Sequence, residues 1–259
     1  MRTDASLAAA LDTLRARGLA LRRGSEAASI ASERPSVPSG HPTLDAALGT
    51  GGWPRGGVAL LDAPVGTGAT TLALSSVAAA QADGGLAAWL DVDGTFDPAV
   101  AVRQGVGLEW LLVGRPRDAG EAIELVAWLG RSGLIDALVL DLGERSVPDR
   151  RALDRLGSVI ARAGSTAALL LAPAAGVAGA AAGVRVALHR SAWLAVGRDL
   201  VGQRVRATVE RHRWALAGGS AELDLWFSEG RRLDALAPTL ASPLPVEEAA
   251  RPVLRVVGA

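Results

Sequence analysis

The sequence predicts an α/β fold with a mostly parallel central sheet, a short helix before it and antiparallel strands at its C-terminal end. Short apolar runs alternate with helix-length segments through the middle of the chain, which is the pattern of βαβ units. From residue 193 onward, apolar and polar residues alternate between glycine-rich turns, and this pattern is typical of antiparallel strands.

The predicted elements follow in chain order. A turn and a short helix occupy residues 39–49, and a loop at 51–57 leads into a central strand that begins at Ala59. Helices are predicted at 70–82, 121–130 and 150–163, and buried strands at 86–90, 137–141 and 167–172. Antiparallel strands are expected at 193–196, 204–211 and 221–227, and the proline-rich tail is expected to be irregular until 253–257.

Length and composition limit the class of protein. The 259 residues suit one large domain, with a helix and linker at 1–38, a core at 39–237 and a tail at 238–259. The chain has no Cys, which excludes a disulfide scaffold, and three His, which makes a metal cage improbable. Its net charge of zero gives no overall attraction to nucleic acid. The N-terminus lacks the apolar core of a signal peptide, so a cytoplasmic protein is expected.

The uncharged stretch 164–184 is about long enough to cross a bilayer, but it consists mostly of Ala and Gly and contains Pro173. It is predicted to be a buried strand followed by a loop, and no contact with a membrane is expected.

A glycine-rich turn lies between the central strand and the helix after it. In the phosphate-binding motif G-x-x-x-x-G-K-[ST], backbone N–H groups hold phosphates, the Lys reaches the outer phosphates and the hydroxyl holds Mg²⁺. Here Ala63 replaces the first Gly and Ala69 replaces the Lys. The candidate nucleotide-binding residues are Gly66, Thr67, Gly68, Ala69, Thr70 and Thr71. A plain turn without a ligand is the alternative.

All 27 basic residues are Arg, so compositional drift away from Lys would be expected to leave Arg at position 69. Ala69 leaves no cation where phosphate charge must be neutralised. The loop therefore predicts weak nucleotide binding and no useful catalysis, with no required cofactor and at most weak binding of ATP and Mg²⁺.

Acidic residues end two predicted parallel strands. Asp91 and Asp93 end one, and Asp141 ends another. Because ligands bind at the carboxyl ends of such strands, Asp93 and Asp141 are assigned to the same candidate site.

A short amphipathic helix is predicted at residues 6–17. Leu7, Leu11 and Leu14 form its apolar stripe, and Leu19 and Leu21 lie in a brief strand after it. Residues 24–38 have the composition of a linker. The stripe is too small to be buried by the helix alone, so it packs either on a partner or back onto the core.

From residue 6 to about 230 the chain resembles the recombinase RecA. The matches are the Leu7–Leu11 segment, the 39–57 run, Thr70-Thr71-Leu72, Asp97-Pro98, Gly120-Glu121-Ala122, Arg131-Ser132-Gly133, the strand ending at Asp141 and the stretch from Val201-Gly202. The resemblance implies an ATPase-type core whose N-terminal helix docks on a neighbouring protomer. It also places Arg211 and Arg213 where the family has a basic pair that reaches a neighbour's ATP.

The chain departs from the family pattern at the positions that the family uses for catalysis and for DNA binding. Asp93 replaces the catalytic Glu, and Ala172-Pro173-Ala174 replaces the sensing Gln. The first DNA-binding loop shrinks to 143–149, and the second, 175–183, has no polar contact group. A short RecA-like chain with these losses looks most like the ImuA group, accessory proteins of damage-induced mutagenesis.

Three functions follow from the resemblance. The first is a non-catalytic accessory protein of the SOS response and translesion synthesis. Its partners would be RecA, an ImuB-like homologue of Y-family polymerases and another copy of itself. The second is an ATP-dependent recombinase or RecA paralogue that binds single-stranded DNA, and the third is a cell-division inhibitor of the SulA type. Weak, non-specific DNA binding is expected through Arg204, Arg206, Arg211 and Arg213.

Overall fold

The computed structural model describes residues 35–143, 150–172, 182–196, 198–227 and 242–245, together with Ala16. The helices are α1 (Pro42–Leu48), α2 (Ala69–Ala82), α3 (Pro98–Arg103), α4 (Ala119–Ser132) and α5 (Arg150–Ala163), with a 3₁₀ turn at Leu108–Trp110. The strands are β1 (Ser36–Val37), β2 (Trp53–Pro54), β3 (Gly57–Asp62), β4 (Leu86–Asp91), β5 (Leu111–Gly114), β6 (Ile135–Asp141), β7 (Ala167–Ala172), β8 (Val184–Val196), β9 (Asp199–His212), β10 (Ser220–Trp226) and β11 (Ser242–Pro245).

One large sheet organises these elements, and its strand order is β10-β9-β8-β3-β7-β6-β4-β5. The six adjacent strands β8, β3, β7, β6, β4 and β5 are parallel to one another. Strands β9 and β11 pair with β8, and β10 pairs with β9, in antiparallel orientation. Strand β8 pairs with β3 over its first residues and with β11 over its last ones. The predicted fold class, a mostly parallel sheet with antiparallel C-terminal strands, is confirmed.

Both faces of the parallel strands are buried. In β3, Ala59 and Leu61 face the layer that contains α1 and α2, whereas Val58 and Leu60 face α4 and α5. A strand that is covered on both faces needs an almost continuous apolar sequence, which is why these segments were recognisable. Burying each Leu side chain in these layers stabilises the folded protein by roughly 1.5 to 3 kcal/mol relative to leaving that side chain exposed.

Hydrogen bonds connect residues 39 and 53, which precede the large sheet in the chain, to α2. The indole Nε1 of Trp53 donates to Ser76 Oγ at 2.8 Å, and that hydroxyl donates to the carbonyl oxygen of Ser39 at 3.0 Å. Val37, in β1, is 1% exposed. The predicted linker 24–38 is therefore wrong at its end, because residues 36–37 form a strand that packs in the core.

Several predicted elements are confirmed with small changes of boundary. The helix at 150–163 and the strand at 167–172 match α5 and β7, while β3, β4, β6, α2 and α4 extend one or two residues beyond their predicted ends. Strand β8 begins at Val184 rather than at 193, and β5 and α3 were not predicted. The tail is not irregular throughout, because Ser242–Pro245 pairs with β8.

Some predictions fall outside the described residues. The leucines of the N-terminal helix and brief strand do so, as do residues 144–149 of the first predicted DNA loop and most of the second. Within the ranges that the structure covers, no helix is both long enough and apolar enough to span a bilayer.

Candidate functional site

Six residues connect β3 to α2, and two glycines give this loop its shape. Gly66 and Gly68 have φ values of +76° and +95°, a region that glycine adopts without steric cost. Thr67 closes the turn, because its N–H and its hydroxyl both donate to the carbonyl oxygen of Pro64, at 3.1 and 2.6 Å. Gly68 is the N-cap of α2 and provides no side-chain cap, so the first N–H groups of this helix remain uncapped by side chains.

Gly68 is also required by close packing. A Cβ at this position would lie 2.4 Å from Leu225 Cδ1 and 2.9 Å from Gln203 Nε2. Leu225 and Gln203 are paired residues of β10 and β9. The antiparallel extension therefore packs directly against the start of α2 and forms one side of the site.

The loop and the strand ends enclose a cavity of about 590 Å³. The predicted residues that line it are Gly66, Gly68, Ala69, Thr70, Thr71, Asp93 and Asp141. Thr67 is the one predicted loop residue that does not line the cavity, because its hydroxyl donates to the Pro64 carbonyl within the turn. Ala69 also packs against the core cluster beneath α2. Among the described residues, no basic side chain lines the cavity.

The three acids at the strand ends have different roles. Asp91 is 1% exposed, and its carboxylate accepts the N–H groups of Gly94 and Phe96 at 2.9 and 2.8 Å, so it stabilises the turn after β4. Asp141 accepts the N–H of Gly143 at 3.1 Å. A Cβ at Gly143 would lie 2.0 Å from Asp93 Oδ2, so Asp93 rests against this glycine. Asp93 and Asp141 therefore form the acidic side of the cavity.

Burial raises the pKa of Asp141 from 3.8 to about 6, and the nearby carboxylates of Asp91 and Asp93 add to the rise. The hydrogen bond from Gly143 acts in the opposite direction and only partly offsets it. Because the folded protein holds this proton more tightly than the unfolded chain does, the contribution of Asp141 to stability is most favourable below pH 3.8. It becomes less favourable as the pH rises through about 6.

We expect Asp141→Asn to stabilise the protein at pH 7.5, by up to about 3 kcal/mol, because it removes a buried negative charge. At pH 4 the two proteins should differ little, since the wild-type carboxyl is then protonated in the fold. Urea unfolding at both pH values measures this difference. The exposed Asp83→Asn is the control and should change little at either pH. A less stable Asp141→Asn variant at pH 7.5 would contradict the expectation.

Three lining residues with polar or aromatic side chains were not predicted as site residues: Thr95, Gln203 and Phe227. Phe227 is 44% exposed, and its ring lies 6.3 Å from that of Trp193 in an edge-on arrangement. Gln203 lies in β9 and Phe227 directly follows β10, and sequence patterns do not place these strands over the loop. The alternation in these strands carried no signal for a site.

The arginines predicted to bind DNA are not equivalent. Arg204 makes two hydrogen bonds to Asp224, at 2.7 and 2.8 Å, and Arg206 pairs with Glu222 at 2.7 Å. Because carboxylates within the sheet neutralise both charges, these two arginines are less suited to bind DNA phosphates. Arg211 and Arg213 are exposed at the end of β9 and just after it, and Arg213 lies 5.9 Å from the ring of Trp214.

The cavity fits the phosphates of a nucleotide and a divalent cation in part. The uncapped start of α2 suits phosphate oxygens, and the Thr70 hydroxyl with Asp141 suits Mg²⁺. Within the described residues, no group of three or more His, Asp or Glu side chains forms a metal cage. What the site lacks, compared with the phosphate-binding motif, is a positively charged side chain at position 69.

A glycine-bearing loop between a central parallel strand and a helix, facing an acidic strand end, defines a phosphate-loop protein of the α/β class. The family model for the RecA N-terminal domain matches residues 15–170. The chain belongs to the RecA family.

Individual relatives agree with this assignment. The chain is similar to RecA of Thermus thermophilus, with 34% identity over 237 residues, covering 78% of this chain and 69% of that protein. It is 33% identical to RecA of Bifidobacterium breve over 228 residues, covering 75% of this chain. RecA of Nocardia farcinica is 32% identical over 248 residues, covering 83% of this chain and 71% of that protein. The chain spans 58% of the length of the Bifidobacterium relative.

Proposed function

We propose that this protein is a non-catalytic RecA-like accessory of the SOS response, similar to the ImuA group. It would support damage-induced mutagenesis by binding RecA and a homologue of Y-family polymerases. The observation that carries the proposal is Ala69, whose methyl group stands at the start of α2 where a catalytic phosphate loop has a Lys.

The acidic side of the cavity supports the same proposal. Asp93 is one methylene shorter than the Glu that the family uses as a general base, and a small displacement of such a group costs much of the rate. Without the Lys, the charge that develops during phosphoryl transfer is not neutralised at its usual position. Weak binding of ATP and Mg²⁺ is compatible with both features.

An exposed apolar edge supports a role in protein binding. Strand β5 ends the strand order, and among the described residues only β4 pairs with it, so none of them pairs with the other side of its backbone. Trp110, Leu112 and Val113, at this edge, are 58%, 48% and 45% exposed. Large apolar side chains beside an unpaired strand are typical of surfaces that bind another chain.

A complementation experiment tests the proposal. A host that lacks the gene receives either the wild-type protein or Asp93→Asn, and damage-induced mutants are counted. We expect the two proteins to restore mutagenesis equally, because the acid at this position has no catalytic task. Loss of mutagenesis with Asp93→Asn alone would favour the ATP-dependent recombinase. Cell filamentation on expression, without restored mutagenesis, would favour the division inhibitor.

A further inference from the structure

Strand β11 leads the chain toward the loop that connects β3 to α2, which is called the β3–α2 loop below and comprises residues 63–68. Strand β9 pairs with β8 from Val184 to Val196, along one edge, so β3 and β11 must share the other edge of β8. Strand β3 takes the first part of that edge, and β11 takes the last part in antiparallel orientation. The chain that follows β11 therefore heads toward the end of β3.

The gap between β11 and β3 on this edge is short. Pro245, the last residue of β11, pairs with Ala192, and Asp62, the last residue of β3, pairs with Ala187. Among the described residues, no strand pairs with residues 188–191 of β8 on this edge. At about 3.3 Å per residue the two paired ends are roughly 17 Å apart, and the β3–α2 loop enters this gap from Asp62.

Arg190 lies in this gap and contacts the β3–α2 loop. Its Nη2 donates to the carbonyl oxygen of Gly66, and its Nε donates to Gln203 Oε1 at 2.6 Å. The guanidinium carbon lies 3.9 Å from the centre of the Trp193 ring, which is within the range of a cation–π interaction. Trp193 is the residue of β8 that pairs with Leu244 of β11. The guanidinium is therefore held between the loop and the last residues of β11.

The charge of Arg190 has no carboxylate partner in the part of the chain that the structure describes. Arg204, on the adjacent strand, differs in this respect, because it pairs with Asp224 at 2.7 Å. Partial burial lowers the pKa of Arg190, as expected for a cation that has lost water without gaining an acid. A carboxylate that reaches this position would compensate the charge.

The residues that follow β11 in the sequence include two acids. They are Val246-Glu247-Glu248, and they lie outside the described residues. An extended chain advances about 3.3 Å per residue, so two or three residues beyond Pro245 suffice to bring a glutamate beside Arg190. Because β11 is already paired with β8, ordering these few residues costs little additional entropy.

The rim of the cavity lies at the same place. Pro64, Val65 and Gly66 of the β3–α2 loop line the cavity, and Val65 is 77% exposed. Gly66 is the residue whose carbonyl accepts from Arg190. A segment that reaches Arg190 from β11 therefore arrives at this part of the rim, where an apolar side chain is open to contact.

We propose that Val246-Glu247-Glu248 docks on the edge of β8 beside the β3–α2 loop, with one glutamate paired to Arg190 and with Val246 covering Val65. The docked segment is a strap that closes the loop side of the cavity, and its release opens that side. An exposed ion pair alone is weak. Here the pairing of β11 keeps the glutamates close to Arg190, which raises their effective concentration. The strap forms within one chain and depends on none of the partners proposed above.

Cross-linking tests the proposal on the full-length chain, which has no Cys of its own. Val65→Cys and Val246→Cys are introduced together and treated with a short bifunctional maleimide. We expect this pair to cross-link within one chain at least about tenfold faster than the control pair, Val113→Cys with Val246→Cys. Val113 is a matched control because it is also an exposed valine, and it lies on β5, roughly 24 Å from β8 across the sheet.

Adding Glu247→Gln and Glu248→Gln to both pairs tests the contact with Arg190. The Val65 pair should then cross-link at least about threefold more slowly, and the control pair should be unchanged. Equal rates for the two pairs would overturn the proposal, and so would a Val65 pair whose rate does not respond to the two glutamine substitutions.

An NMR measurement keeps the proposal testable if the Cys variants do not fold. In the chain without Cys, the signal of the Arg190 Nε–H should shift when both glutamates are changed to Gln. Glu124→Gln, at an exposed position of α4, is the control and should leave the signal unchanged. An Arg190 signal that is the same in the wild type and in the double Gln variant would contradict the proposal.

Discussion

The purified protein should release phosphate from ATP at least about a thousandfold more slowly than RecA measured beside it, with single-stranded DNA present in both reactions. Losing the phosphate-loop Lys and shortening the general base should each raise the barrier by several kcal/mol. Each ~1.4 kcal/mol lowers the rate tenfold. Ala69 and Asp93 line the same cavity, so both losses affect the same candidate site.

A coupled phosphate-release assay measures this expectation. The double variant Ala69→Lys with Asp93→Glu restores both family residues and should turn over faster than the wild type. Ala69→Lys alone is the intermediate control. The gain of the double variant is limited by packing, because Asp93 already rests against Gly143 and a longer acid must displace that contact. Wild-type turnover at the rate of RecA would show that the loop is catalytic.

The parallel part of the fold was predictable because its strands are buried on both faces. Strand β7 is apolar throughout, and in the sequence a proline, Pro173, comes directly after its last residue. Strand β5 was missed because it has only four residues and two of them, Leu112 and Val113, are exposed at the edge of the sheet. Strand β8 was predicted to start late, since His189, Arg190 and Ser191 interrupt its apolar pattern.

The candidate site was predictable where its residues share one loop or one sheet edge. Gly66 to Thr71 are contiguous, and Asp93 and Asp141 follow adjacent parallel strands. Arg190 is different, because 124 positions separate it from the Gly66 carbonyl that it contacts. Only the folding of β8, β9 and β10 beside β3 brings Arg190 and Gln203 to the loop, and no local pattern encodes that approach.

Changing Leu7, Leu11 and Leu14 to Ser should weaken binding to RecA by at least about a hundredfold. The helical spacing of these leucines predicts one apolar stripe, and burying each side chain in a partner is worth ~1.5 to 3 kcal/mol before ordering costs. Surface plasmon resonance with immobilised RecA measures the change. Replacing Asp12, Arg15 and Arg17, which lie outside the leucine stripe of the same predicted helix, by Ser is the control and should change affinity much less.

Thermal melting of the same variants separates docking on a partner from packing within this chain. Lost binding with an unchanged melting temperature supports docking, whereas a large fall in melting temperature would show that the stripe belongs to this protein's own core. If RecA binding is unaffected but self-association is lost, the receiver is another copy of this chain. Docking on RecA would place the protein at one end of a RecA filament, and mutagenesis would then depend on the filament without any catalysis by this chain.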